Sequence, residues 1–105
     1  MTNEQINIAI AGACGWMYAP DDLPDYPWQN EQGEAHRSHP DYSGCLNAMH
    51  GAEKALNPIK AAEYARMLTS IAWQSEQPVF APMTATARQR AEAFLRIIGK
   101  WEEEA

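Results

Sequence analysis

With 105 residues, a formal net charge of −6 and an isoelectric point near 4.9, the chain is long enough for one domain and lacks the basic surface that non-specific nucleic-acid binding needs. A mean hydropathy of −0.50 and few large aliphatic side chains bring it close to the composition of disordered chains, and four Trp, four Tyr and five Met supply the bulk an alanine-rich core lacks. That balance leaves no apolar surplus for a membrane, while a local basic pocket for a small anion and an acidic face for a basic protein partner both stay open.

Taken in chain order, residues 3 to 14 predict a helix. Thr2 or Asn3 caps it, Glu4 suits its positive end, and Ile6, Ala9, Ile10 and Ala13 form an apolar stripe that Gly15 ends. The apolar run from Ile6 to Cys14 is too short to span a bilayer and follows acidic residues, so the expectation is a cytoplasmic location. Cys14 and Cys45 are then reduced thiols rather than a disulfide. Trp16-Met17-Tyr18 reads as a short strand that Pro20 closes. From 19 to 42 the chain has no periodicity and is punctuated by Pro20, Pro24, Pro27 and Pro40. It reads as an irregular loop inside the single domain 1–105, pinned by Leu23, Tyr26 and Trp28.

A second helix is predicted to start near Ser43, with Cys45, Leu46, Met49, Ala52 and Leu56 on its apolar face. Asn57-Pro58 ends it and opens a third helix, Asn57 as N-cap and Pro58 at the first helical position. Ala61, Ala65, Leu68 and Ala72 face inward there, joined by Tyr64 and Ile71, to about Trp73. Residues 78–81 form a second extended piece. The closing helix, 87–98, is the best specified: Thr86 and Gln89 can form a reciprocal capping box, Ala87, Ala91, Phe94, Leu95 and Ile98 recur on one face, and Gly99 can take the left-handed turn. The fold class expected is α+β: a mainly helical small domain of about four helices with a small sheet.

Three blocks, INIAIAGACGW (6–16), DYSGCLNAMHGAE (41–53) and ATARQRAEAFLRIIGKWEE (85–103), together resemble the phage ABA sandwich domain family of small phage and prophage proteins. The resemblance covers both ends and the middle of the chain, and it implies an α/β/α sandwich and a phage origin, with no catalytic residues to carry over. Cys45 and Gly51 stand where the family pattern carries acids.

Four constellations carry candidate chemistry. Thr84, Thr86 and Arg90 at a helix N-terminus make an anion site, because free backbone N–H groups and a guanidinium favour phosphate or carboxylate. Arg96 extends the basic side of that helix, and Arg88, Glu92 and Arg96 are spaced as an ion-pair ladder. Asn47, His50 and Glu53 or Lys54 share one polar helix face, where His50 serves either as an acid/base or as a half-buried hydrogen-bonding group. His36, His39, Cys45 and His50 are ligand types zinc accepts, but their spacing shows only one tight pair, so no metal is assigned. Trp16, Trp28, Trp73 and Trp101 either stack a base or fill the core.

No phosphate loop, nucleophile elbow, HExxH or CxxC is present, and no cofactor is implied. The sequence therefore points to a non-enzymatic phage accessory protein in the host cytoplasm. It would act by binding, in counter-defence, on an anionic or nucleotide-like ligand through Thr84, Thr86, Arg90, Arg96, Asn47 and His50, or on a host protein through its acidic face. Self-association is compatible with its thin core. The alternatives are a small hydrolase or nucleotide-modifying enzyme using His50, and a structural virion component.

Overall fold

The computed structural model describes residues 1–20, 24–73 and 85–102. Among these the order is α1 (Asn3–Ala13), β1 (Met17–Tyr18), β2 (Trp28–Gln29), β3 (Ala35–His36), α2 (Leu46–Glu53), α3 (Pro58–Trp73) and α4 (Ala87–Ile97). The protein is a small α+β domain of four helices and a three-stranded antiparallel sheet in the order β1-β2-β3. No helix among the described residues is long and apolar enough to cross a membrane.

Helices α1 and α4 begin and end by the same devices. Thr2 and Thr86 each accept the N3 amide on their hydroxyl at 3.1 Å, and Gln5 and Gln89 return the bond to the cap amide at 2.9 Å. At their C-termini Gly15 and Gly99 take φ of 94° and 75°, which lets Trp16 N–H donate to the Ala11 carbonyl at 2.9 Å and Lys100 N–H to that of Leu95 at 2.8 Å. α3 starts as the sequence predicts, with Asn57 Oδ1 accepting from Lys60 N–H at 2.8 Å. α2 is shorter than expected and lacks a side-chain cap, because Cys45 occupies the N-cap.

α4 is the hub. It packs against α1, α2 and α3, and buries Ala87, Ala91, Ala93, Phe94 and Leu95. Ile6, Ile10, Ala11, Met49, Tyr64 and Leu68 close on it from the other helices. The alanines let the backbones approach, and Phe94, Met49 and the two isoleucines fill the remaining volume.

Several expected faces are corrected. Ala13, Ala61 and Ala65 are exposed, as are Cys45 and Leu46, whereas Asn7 and Ala11 are buried. On α3 the helix turns Tyr64 and Leu68 inward, because large rings and branched side chains gain more from burial than a methyl group does. The irregular loop expected over 19–42 contains β2 and β3, joined by a tight turn in which Gly33 has φ of 83° and donates to Asn30 O at 2.9 Å. Asn30 Oδ1 accepts from Gln32 and Glu34 N–H groups inside that turn. The side chain of Ala72, Leu23, Thr84 and the extended piece expected at 78–81 lie outside the described residues.

Candidate functional site

The site is built from the segment between the sheet and α2. Asn7, buried on α1, donates from Nδ2 to Asp41 Oδ1 at 2.9 Å and accepts the Ser43 N–H on Oδ1 at 2.8 Å. Ser43 Oγ adds a 3.3 Å bond to the same carboxylate oxygen. These bonds bracket Tyr42 and hold it in the core, 4% exposed. A Cβ at Gly44 would come within 2.5 Å of the Asp41 carboxylate, so a side chain there would displace the group that Asn7 and Ser43 bond. On the other side, the C-terminal turn of α1 delivers Cys14 and Trp16 to the same place, and Glu31 from the hairpin turn packs its Cβ against Gly15.

Between them lies a cleft of about 490 Å³. One wall is Cys14, Trp16, Glu31, Pro40 and Tyr42; the other is α2 and the turn after it, with Asn47, Ala48, Gly51, Ala52, Lys54 and Ala55. Aromatic rings, one amide, one ammonium and one carboxylate around an apolar floor are the composition of a small-molecule site. Burial pushes the Cys14 thiol above its ordinary range, with Glu31 adding to the rise and a hydrogen bond with Tyr42 opposing it. Burial also drives the Tyr42 phenol far upward, and the neighbouring Cys14 and Glu31 reinforce it. Both groups are protonated at neutral pH, so the cleft holds neither a thiolate nucleophile nor a phenolate base.

Behind α2, facing away from the cleft, Glu53 collects three partners. His50 Nδ1 lies 2.7 Å from its Oε1, Arg90 NH1 donates to Oε2 at 3.2 Å, and the Tyr64 hydroxyl donates to the same oxygen. The Glu53 and Arg90 side chains are 20% and 14% exposed, so this is a partly buried three-helix lock. Burial and the adjacent carboxylate raise the Tyr64 phenol well above its ordinary range.

The six residues singled out from the sequence are thus distributed over several places. His50 and Arg90 meet through Glu53, and Arg90 Nε also donates to the Ala85 carbonyl at 3.1 Å. Thr86 caps α4, with its hydroxyl engaged by Gln89 N–H. Arg96 sits towards the other end of α4, bonded to Glu92 at 3.0 Å with its guanidinium 5.3 Å from the Trp101 ring centre. Asn47 lines the cleft, and Thr84 lies outside the described residues. In the ladder expected along α4, Glu92 pairs with Arg96, and Arg88 reaches the Met1 carbonyl instead.

The four candidate zinc ligands have separate surroundings. His36 meets the Trp16 ring at 5.1 Å, His39 meets Trp28 edge-on at 4.9 Å, His50 is held by Glu53, and Cys45 is exposed. Among the described residues no group of three or more His, Cys, Asp or Glu is placed to hold a metal ion. Of the tryptophans, Trp16 lines the cleft, Trp28 meets the Tyr18 ring at 5.0 Å in a tilted contact, Trp101 packs on the core and Trp73 is exposed.

Sequence reasoning placed Lys54 on the Asn47 face, and both line the cleft, but it missed Cys14, Tyr42 and Gly51 there. Their only sequence signal is that aromatic and amide residues flank glycines in two separate blocks. Comparison with protein families, with curated sequences and with solved structures finds no match.

Proposed function

We propose that the protein is a small, non-enzymatic phage or prophage accessory protein that acts in the host cytoplasm by sequestering a nucleotide-like ligand, in counter-defence. The observation that carries the reading is the cleft between α2 and the Trp16–Tyr42 wall. Trp16 offers a ring for a base to stack on, Asn47 both donors and an acceptor for a base edge, and Lys54 a charge for phosphate. A chain of net charge −6 attracts polyanions poorly, which suits a small ligand better than a nucleic acid. The protonated state of Cys14 and Tyr42 favours binding over turnover. The resemblance to small phage proteins supplies the biological setting.

The test is thermal unfolding of the protein with nucleoside phosphates and signalling nucleotides. A ligand present at a hundred times its dissociation constant adds about 2.7 kcal/mol and raises Tm by several degrees. Asn47→Ala and Lys54→Ala, both at exposed positions, are expected to abolish most of that rise without lowering the Tm of the free protein. A flat response to every nucleotide overturns the reading in favour of a protein partner at the acidic face or a structural virion role.

The His50–Glu53 contact at 2.7 Å favours a second reading, acid/base catalysis at the exposed histidine. Hydrolysis of a phosphoester substrate that survives His50→Ala would dispose of it.

A further inference from the structure

Gly51 lies inside α2, three residues before its C-cap, where glycine disfavours the helix relative to alanine. None of the usual structural reasons for a glycine applies to it. Its φ is not positive, and a Cβ at this position would meet no atom of the described residues within 4 Å. What lies in front of it is the cleft.

We propose that Gly51 is the specificity-determining residue of the cleft: its bare backbone forms a flat floor on which a planar purine-sized ring lies, with the partly exposed Trp16 as the facing wall. The inference rests on the ligand-binding reading above and narrows it from a nucleotide-like ligand to one with an unobstructed aromatic face. Ala48 and Ala52 flank the glycine and continue the low floor, while Asn47 and Lys54 stand at its sides, where a ring's polar edge and an attached phosphate would fall. A methyl group at 51 would project into the space the ring occupies. The helix thus gives up propensity to keep the surface level.

Such an arrangement sets stability and binding in opposition at one residue. Gly12 provides an internal control. It too lies in a helix and is exposed, a Cβ there would meet no atom of the described residues within 4 Å, and it is not part of the cleft lining.

The experiment uses the full chain, with adenosine 5′-monophosphate and cytidine 5′-monophosphate as probes in titration calorimetry and thermal unfolding. Gly51→Ala and Gly12→Ala should each raise the Tm of the free protein, by about 4 °C. Gly51→Ala should weaken adenosine 5′-monophosphate roughly tenfold, Gly51→Leu should remove detectable binding, and Gly12→Ala should leave affinity unchanged. The smaller cytidine nucleotide should bind the unaltered protein more weakly than the purine does. If the unaltered protein binds and Gly51→Ala binds equally well, the inference is overturned and the ligand-binding function stands. If the unaltered protein binds neither of these but is stabilised by another nucleotide, the purine inference alone falls; no response to any nucleotide overturns both.

Discussion

At the residue scale, Glu53 ties three helices together through one carboxylate. One carboxylate oxygen receives Arg90 and Tyr64 and the other faces His50, so three helices depend on a single acid. Tyr64→Phe removes one donor and leaves the Arg90 bond in place, which should cost about 1 kcal/mol of unfolding free energy at neutral pH. It should also alter the alkaline limb of the stability curve. Burial raises the Tyr64 and Tyr42 phenols in the folded protein. The unfolded chain therefore loses these protons first, near pH 10, and binds fewer protons than the native state above that point. Stability contributed by each phenol is full below pH 10 and declines as pH rises towards its folded value. Denaturant midpoints measured from pH 8 to 11 should fall at the upper end, and fall less steeply in Tyr64→Phe. An unchanged slope in that variant would show that Tyr64 does not couple to folding.

At the scale of elements, what was legible in the sequence is what is local. α4 could be read whole because Thr86, Gln89 and Gly99 are its own start and stop signals and its apolar residues recur on one face. Thr86→Ala should remove about 1 kcal/mol, seen as a lower denaturant midpoint with an unchanged m-value, because the capped helix contacts all three others and frays at the expense of the whole core. A null effect would mean that packing alone holds the N-terminus of α4. The sheet could be read only at its first strand, expected at 16–18 and found at Met17–Tyr18; β2 and β3 were hidden in the stretch expected to be irregular. Its strands are two residues long, too short for alternation to register, and their pairing is fixed by the Asn30–Gly33 turn and by ring contacts among Trp28, Tyr18 and His39. The face of α3 was read in part: Tyr64 and Leu68 turn inward as expected, whereas Ala61 and Ala65 are exposed, because alanine marks either side of a helix. The site was legible in part: Asn47 and His50 share a helix, but Glu53 meets Tyr64 and Arg90 across 11 and 37 residues, a distance no local spacing encodes.

For the whole molecule, stability should be uneven. The centre is Ala91, Ala93, Phe94 and Leu95 with Ile6, Ile10 and Met49, while the strand residues of β1 and β3 are exposed. Amide hydrogen exchange should therefore rank α4 and the middle of α1 as slowest, near the global unfolding free energy, and the hairpin amides as fastest. Equal protection in sheet and helices would contradict this hierarchy. The net charge of −6 lies on a surface whose cations are largely engaged: Lys60 bonds Glu63 and the Ile97 carbonyl, and Arg37 lies over Tyr26. The position of Glu53 has a kinetic meaning. Its bonds grip α2 from behind, and the Asn7–Asp41–Ser43 bonds fix the opposite wall. Walls held by side-chain bonds on both sides favour a preformed cleft, and for the binding proposed above a ligand would then lose little of its intrinsic affinity to populating a rarer conformer. Capture would be limited by encounter rather than by opening.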